Sequence, residues 1–219
     1  MPAAVFVVGA GPGIGRSVAR RFADRGHRVG VLARSSSTID TLLEGLPTSA
    51  AGVTADVADE SALRGALDDL VDRLGVPELV VYNAGVIRQD TVADLDADSL
   101  RDTLAVNVGG AVTTASSLLP RMAAADGGSY LLTAGMPEPL PQLTSLSLGK
   151  AALRALARLL DTEFGPAVRS STVTVCGPVA PGTAYDPDTI AAEYERLHLW
   201  DGPDRPVDLR FGDPADAAG

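Results

Sequence analysis

The chain has 219 residues, 46% of them hydrophobic, and a mean hydropathy of +0.15, which suits one α/β domain with a sizeable core. Its formal net charge of -10 argues against nucleic acid and anionic membranes as partners, since both attract basic faces. No apolar run reaches the ~20 residues of a membrane span. The single cysteine, Cys176, forms no internal disulfide, and no signal peptide precedes the first strand, so we expect a cytoplasmic protein.

Strand and helix patterns alternate along the chain. Buried strands are predicted at 5–8, 28–33, 52–57, 78–82, 129–133 and 172–176, with an edge strand at 206–211. Helices are predicted at 16–25, 60–74, 100–125, 147–164 and 186–199. Repeated βα units predict an α/β fold with a doubly wound parallel sheet of about seven strands and helices on both faces. We expect one domain over 1–212 and a disordered tail over 213–219.

A glycine-rich turn joins the first strand to the first helix. Gly9 permits the tight turn, Gly13 lets the backbone approach a pyrophosphate, and Gly15 lets helix and strand pack closely. The helix N-terminus then offers free N–H groups and the positive end of its dipole to the phosphates. The alternative is a tight turn with no ligand. The predicted phosphate-binding turn comprises Gly9, Gly11, Pro12, Gly13, Ile14 and Gly15.

The spacing Gly9-x-x-x-Gly13-x-Gly15 resembles the glycine motif of the short-chain dehydrogenase/reductase family, which implies a Rossmann-like fold. The second strand ends in Ala33, followed by Arg34 and Ser35, where an acidic residue would favour NAD. Arginine and hydroxyl groups suit a 2′-phosphate, so NADP(H) is favoured over NAD(H); a solvated loop arginine is the alternative.

The resemblance implies further cofactor contacts at the ends of later strands. It assigns Asp56 and Val57 to the adenine, although a surface aspartate beside a turn is the simpler interpretation of Asp56. The turn after the fourth strand would line the cofactor cleft, and the turn after the sixth strand would contact the nicotinamide carboxamide. These two turns supply Asn83, Ala84, Gly85, Pro178, Gly182 and Thr183.

The catalytic pattern is incomplete. Lys150 is the only lysine of the chain, and it falls where the family's active-site helix carries one. The resemblance therefore implies that Lys150 binds the nicotinamide ribose. Asn107 interrupts a helix pattern, where the family uses an asparagine to kink the helix and hold a water. Counting from the family's spacing places Thr133 at the serine position. Leu146, however, stands where the family has its proton-donating tyrosine.

A leucine has no proton to give, and general acid catalysis contributes roughly 10²–10⁴-fold in rate. The candidate substitutes are Lys150 through a water, Thr133, Ser145, Ser147 and Tyr185, which the sequence does not rank. Residues 183–199 are expected to form the substrate lid, with Tyr185, Tyr194, His198 and Trp200 as possible contacts. Of these residues, we take Tyr185 and Ser145 as the candidates for contact with the substrate. No metal site is expected.

We therefore predict an NADP(H)-dependent oxidoreductase for a small carbonyl, alcohol or activated alkene, with a non-standard proton donor. One alternative is an NADP-binding protein without redox turnover, such as a sensor or structural partner. Another is diverted chemistry, such as an oxygenase or an accessory enzyme of natural-product biosynthesis. The family commonly associates through its two long helices, so a homo-oligomer, dimer or tetramer, is expected, with no nucleic-acid or membrane partner.

Overall fold

The computed structural model describes residues 2–212, so the predicted tail lies outside the described residues. Within that range seven parallel strands form one sheet in the order β3-β2-β1-β4-β5-β6-β7, which confirms the predicted doubly wound fold. The order reverses between β1 and β4, and the crevice at such a switch point is where open α/β sheets bind ligands. The strands are β1 Ala4–Val8, β2 Arg28–Ala33, β3 Ala51–Thr54, β4 Pro77–Tyr82, β5 Gly128–Gly135, β6 Val168–Val175 and β7 Asp208–Phe211.

Helices cover both faces of the sheet. They are α1 Ile14–Ala23, α2 Ser36–Glu44, α3 Glu60–Leu74, α4 Ala97–Leu104, α5 Gly110–Ala124, α6 Thr144–Phe164 and α7 Pro187–His198. One apolar cluster joins α3, α5 and α6 to the sheet, and a second joins α1, α2 and α7 to its other face. Adjacent strand residues alternate between these clusters, as β geometry requires, with Phe6 in the first and Val7 in the second.

Several elements differ from the sequence prediction. Strand β3 ends at Thr54, three residues before its predicted end. The loop after β2 contains α2, whose first turn is capped by the Ser35 hydroxyl accepting from the Thr38 N–H, and which buries Ile39 and Leu42. The long helix predicted at 100–125 is two helices, α4 and α5, joined by a π-helical turn at Ala105–Gly109. Strand β5 continues to Gly135, beyond its predicted end at Thr133.

The expected substrate lid is also not found. Helix α7 lies against α1 in the core, and its Ile190, Tyr194 and Leu197 side chains are fully buried. Glu195 ties the two helices together through ion pairs with Arg21 and Arg25. The prediction of a lid over 183–199 is therefore wrong, because the apolar stripe of this helix packs on the sheet. Between β6 and α7 the described chain forms only turns.

Candidate functional site

A cleft of about 420 Å³ opens at the carboxyl edge of the sheet, where the connections after the paired strands β1 and β4 leave to opposite faces. Its walls are the glycine turn after β1, the ends of β2 and β3, the turn after β4, and Val106 of the π-helical turn. This cleft brings together three groups that the sequence places far apart: the glycine turn, the Arg34–Ser35 pair and the Asn83–Gly85 turn. It is large enough for part of an extended dinucleotide.

The glycine turn is shaped by two close backbone approaches and two open positions. Gly9 has φ +85°, and a Cβ there would lie 2.2 Å from the Ala84 backbone nitrogen. A Cβ at Gly15 would lie 2.8 Å from the Ala10 Cα, so this glycine permits close packing of α1 on the turn. By contrast, Gly11 and Gly13 face open space, with no atom within 4 Å of a Cβ.

Part of the N-terminus of α1 is left free for a ligand, since the Arg16 N–H donates to the Gly11 carbonyl at 3.0 Å and the N–H groups before it have no side-chain cap. Its N-cap, Gly13, offers no side-chain hydrogen bond to the first N–H groups, and the first turn holds no acidic residue. Pro12 lines the cleft beside Gly11, whereas Ile14 is buried in the core and Gly15 packs against the turn. The residues present therefore fit a pyrophosphate, which would be held by backbone N–H groups.

At the β2 side of the cleft, Arg34 is exposed and makes no hydrogen bond or ion pair with another residue of 2–212. Ser35 lies beside it, but its hydroxyl accepts from the Thr38 N–H and lies 2.8 Å from the Thr38 hydroxyl. Asp56 is exposed at the end of β3, and one of its carboxylate oxygens accepts from the Ala58 N–H at 2.9 Å. Val57 follows it and is buried at the cleft wall.

The turn after β4 is held from two sides. Asn83 donates from Nδ2 to the Gly9 carbonyl at 2.8 Å, which links this turn to the glycine turn. Asn107, fully buried in the π-helical turn, accepts from the Val86 N–H at 2.7 Å and donates to the Val86 carbonyl at 3.1 Å. The helix is interrupted at Asn107, as the sequence suggested, but the side-chain amide holds the Val86 backbone.

Lys150 projects from α6 toward this same turn. Its side chain is buried, and its Nζ donates to the Thr133 carbonyl at 2.9 Å. A Cβ at Gly85 would lie 3.6 Å from that Nζ and 3.5 Å from the Asn107 Oδ1, so the lysine and the amide meet at Gly85. Gly85 lines the cleft, whereas the two side chains lie directly behind it. Burial, with a smaller contribution from the positive charge of Arg154, lowers the pKa of Lys150 to about 8.

Thr133 lies at this strand end but faces the other way. Side chains alternate along β5, so the Thr133 hydroxyl lies on the α1 and α7 face, whereas Lys150 approaches from α6. The hydroxyl donates to the Asn83 Oδ1 at 2.8 Å and lies 2.6 Å from the hydroxyl of Tyr194. The expected place of Thr133 beside the reacting carbon is thus corrected: its hydroxyl supports Asn83, and only its carbonyl contacts Lys150.

The two candidate substrate residues are also committed elsewhere. Ser145 is fully buried, and both its N–H and its hydroxyl donate to the carboxylate of Asp90, which caps α6. Tyr185 is 4% exposed, and its ring packs edge-on against Phe211. Neither residue lines the cleft, so the structure corrects both assignments.

The turn after β6 lies apart from the residues that line the cleft. Pro178 and Thr183 are exposed there, and the Gly182 N–H donates to Asp186 at 2.7 Å. The Thr183 hydroxyl donates to the Ala180 carbonyl and accepts from the Tyr185 N–H, which fixes the turn. Contact between this turn and a nicotinamide therefore stays a prediction.

Two features that the sequence did not reveal complete the description. The Tyr194 hydroxyl contacts the Thr133 hydroxyl, which in turn bonds Asn83. The helical spacing of Tyr194 with the apolar residues of α7 is the sequence feature that indicates its burial. His27 and His198 both approach Glu78 at the amino edge of the sheet, away from the cleft. Within residues 2–212 no cluster of three histidine, cysteine or acidic side chains is arranged for a metal, and no helix suits a membrane span.

Comparisons with known proteins agree with this geometry. A family model described as short chain dehydrogenase matches residues 3–189. A relative from Streptomyces violaceoruber, named "Granaticin polyketide synthase putative ketoacyl reductase 2", is 34% identical over 195 residues, covering 86% of this chain and 76% of the relative. D-threitol dehydrogenase of Mycolicibacterium smegmatis is 26% identical over 204 residues, covering 90% of this chain and 74% of its own.

Solved structures show the same fold. A short-chain dehydrogenase from Streptomyces avermitilis superimposes with a TM-score of 0.89 at 24% identity, covering 98% of this chain and 89% of the other. An alcohol dehydrogenase from Thermococcus sibiricus, solved in complex with 5-hydroxy-NADP, gives a TM-score of 0.85 at 24% identity, covering 96% of each chain. The match of the family model over most of the chain, together with the sheet order and the cleft at its switch point, shows that this protein belongs to the short-chain dehydrogenase family of oxidoreductases.

Proposed function

We propose that the protein is an NADP(H)-dependent oxidoreductase acting on a small carbonyl, alcohol or activated alkene, with a non-standard proton donor. The observation that carries the cofactor preference is Arg34, an exposed guanidinium at the β2 wall of the cleft with no partner among the described residues. A guanidinium binds a phosphate through charge-assisted, bidentate hydrogen bonds. No acidic residue follows β2 to repel a 2′-phosphate.

The other residues of the cleft have complementary roles in this proposal. The N-terminus of α1, behind Gly11 and Gly13, binds the pyrophosphate, and Asp56 binds the adenine. Asn107 fixes the turn that carries Gly85, and Lys150 holds the nicotinamide ribose at the end of the cleft. When bound, the cofactor supplies or accepts a hydride at its nicotinamide ring.

The substrate class rests on the relatives and on one feature of α6. Both curated relatives cited above bear names of enzymes that interconvert carbonyls and alcohols, a ketoacyl reductase and a threitol dehydrogenase. Leu146 lies one helical turn before Lys150, is 5% exposed, and has no proton to give. An electrophilic carbonyl or alkene carbon, which accepts a hydride with little help from an acid, suits this site.

The Arg34→Ala variant tests the cofactor assignment. We expect the Kd for NADPH to rise about 10–100-fold, because a charge-assisted hydrogen bond contributes about 1.5–3 kcal/mol, while the Kd for NADH changes little. Isothermal titration calorimetry with each dinucleotide measures both constants. Arg20→Ala, which removes an exposed arginine of α1 outside the cleft, is the matched control. An equal loss of affinity for NADPH and NADH would show that Arg34 does not contact a 2′-phosphate.

A second candidate is an NADP-binding protein without redox turnover. Buried Leu146 favours it, since the helix turn before Lys150 offers no hydroxyl to the cleft. The same titrations followed by exposure to activated ketones separate the two functions, because a binding protein forms the cofactor complex and leaves NADPH unoxidised. Diverted chemistry, such as an oxygenase or an accessory biosynthetic step, would oxidise NADPH without forming the alcohol.

We further propose that residues 1–212 act as one domain in a cytoplasmic homo-oligomer. Helices α5 and α6, through which the family commonly associates, expose apolar side chains at Val112, Leu148 and Leu159. These side chains are 46%, 50% and 66% exposed, and a second copy of the chain would cover them. Sedimentation equilibrium of the purified protein measures the oligomeric state directly.

A further inference from the structure

The hydroxyl groups near Lys150 that could replace the tyrosine are already committed. The Thr133 hydroxyl lies between Asn83 and Tyr194 on the far face of the sheet. The Ser145 hydroxyl donates to Asp90, and the Ser147 hydroxyl accepts from the Leu140 N–H at 3.1 Å. A proton donor needs a hydrogen directed at the reacting oxygen. None of these serine and threonine groups is placed to direct one into the cleft.

The four tyrosines of the chain are excluded in the same way. Tyr82 donates to the Val106 carbonyl at 2.5 Å, and Tyr130 donates to the Ala111 carbonyl at 2.8 Å. Tyr194 is fully buried beside Thr133, and burial raises its pKa well above the ordinary value. Tyr185 is buried against Phe211, away from the residues that line the cleft. No tyrosine hydroxyl therefore takes the place left by Leu146.

Lys150 has the hydrogens that these groups lack. A lysine ammonium carries three N–H bonds. One of them donates to the Thr133 carbonyl, which fixes the nitrogen at the end of β5. The nitrogen lies beside Gly85, a residue of the cleft wall, although Lys150 is not itself among the lining residues. Within residues 2–212 its two other N–H bonds have no hydrogen-bond acceptor, so we infer that they serve a cofactor ribose and a substrate oxygen.

We propose that the Lys150 ammonium is itself the acid that protonates the substrate oxygen. This inference rests on the proposed function. As the hydride adds to the carbonyl carbon, the π electron pair of the C=O bond moves to oxygen, one N–H bond of Lys150 breaks, and an O–H bond forms. The reduced nicotinamide is oxidised, the carbonyl becomes an alcohol, and the neutral amine takes a proton from water.

The electrostatic surroundings make this ammonium a stronger acid than an ordinary lysine. Burial comes first and Arg154 second among the causes that lower the pKa of Lys150 to about 8. The elements packed against α6 are β5, β6, α4, α5 and the π-helical turn. The last of these presents the uncharged Asn107. The remaining charged groups are of two kinds. Asp90 is buried, and its carboxylate accepts from the N–H and hydroxyl of Ser145 at the start of α6. The others are exposed or lie at the amino edge of the sheet, and comprise Asp98, Arg101, Asp102, Arg121 and Arg169.

The test uses NADPH with 2,2,2-trifluoroacetophenone, an activated ketone, and the fact that the chain has a single lysine. In protein labelled with [ε-¹³C]lysine, one NMR resonance reports the pKa of Lys150 in the NADPH complex. We expect kcat to fall as the pH rises through that same value, near 8, because the acid form is then lost. Arg154→Gln should move the NMR pKa and the kcat inflection upward together.

Two variants separate proton transfer from binding. Lys150→Arg keeps a positive charge and hydrogen-bond donors, but a guanidinium does not release its proton in this pH range. We expect it to bind NADPH and to lose roughly 100-fold or more in kcat. Leu146→Tyr places a tyrosine four residues before Lys150. In the double variant that carries both substitutions, this tyrosine can act as the acid, so we expect part of the activity lost in Lys150→Arg to return.

The outcomes are distinct. A pH-independent kcat across the NMR titration, or a Lys150→Arg variant within a few-fold of the unsubstituted protein, overturns the proposal. If NADPH binds but only Leu146→Tyr reduces the ketone, Lys150 is not a working acid and the proposal is overturned. If NADPH binds and neither protein reduces the ketone, the oxidoreductase function itself is contradicted. Failure to bind NADPH at all contradicts the proposed function instead, and the calorimetric titration detects that failure before any ketone is added.

Discussion

Lys150→Met is expected to stabilise the protein at pH 7. The pKa of Lys150 is about 8 in the folded protein, against about 10.4 for an unfolded lysine, so folding at pH 7 confines a charge that water would solvate better. This difference in pKa means that burying the charged lysine costs about 3 kcal/mol of folding free energy, which the methionine variant avoids. The variant also loses the hydrogen bond to the Thr133 carbonyl, which offsets about 1 kcal/mol of that gain. We expect a net gain of roughly 2 kcal/mol in the free energy of unfolding.

The pH dependence provides the sharper check on this prediction. Below pH 8 both states hold the proton, so the cost of the buried charge is present in full. Between about 8 and 10.4 the unfolded lysine binds a proton that the folded one has released, so the stability of the unsubstituted protein rises with pH. The advantage of Lys150→Met should therefore shrink over that range in urea unfolding. Arg158→Met, an exposed substitution on the same helix, is the control, and an advantage that grows with pH would contradict the burial argument.

Gly9→Ala is expected to destabilise the protein more than a glycine-to-alanine substitution at any other position of the glycine turn. The backbone at Gly9 has φ +85°, which strains any L side chain, and the new Cβ would lie 2.2 Å from the Ala84 nitrogen and 2.4 Å from its Cα. The turns after β1 and β4 would have to separate, which also breaks the hydrogen bond from Asn83 to the Gly9 carbonyl. Strain and overpacking together cost roughly 2–5 kcal/mol.

Gly65→Ala is the matched control for this substitution. Gly65 is exposed within α3, and a Cβ there meets no atom within 4 Å, so alanine should raise stability by about 0.5–1 kcal/mol. The same chemical change thus has opposite signs at two glycines. Urea unfolding of the two variants measures the difference, and equal effects would show that the turn tolerates a side chain.

Much of the fold was predictable because strand and helix periodicities are local. The alternation of βα units gave the parallel sheet, and the glycine spacing indicated where β1 meets α1. The pattern did not reveal α2, since Ser35, Ser36 and Ser37 also suit a loop. The Ser35 cap and the packing of Ile39 and Leu42 on the sheet distinguish the helix from that loop.

The position of a residue along a strand was easier to predict than the direction of its side chain. Counting back from Leu146 placed Thr133 on the correct strand, although β5 ends two residues later, at Gly135; successive β residues point to opposite faces. Because Thr133 shares the face of Leu131, two residues earlier, its hydroxyl lies on the α1 and α7 side of the sheet with Tyr194. Likewise, α7 was assigned to a lid from its place in the order of motifs, although Ile190, Ala191, Tyr194 and Leu197 form an apolar stripe at helical spacing.

The short connection from β6 to the buried helix α7 has a consequence for turnover. In many enzymes a covering segment must open before product leaves, and that slow motion masks the isotope effect of the chemical step. In this protein the residues between β6 and α7 form turns, and α7 is fixed to α1 by Glu195. With NADPH deuterated at the transferred position, we therefore expect equal kinetic isotope effects on kcat and on kcat/KM. Hydride transfer, and not the departure of the alcohol, would then set the rate.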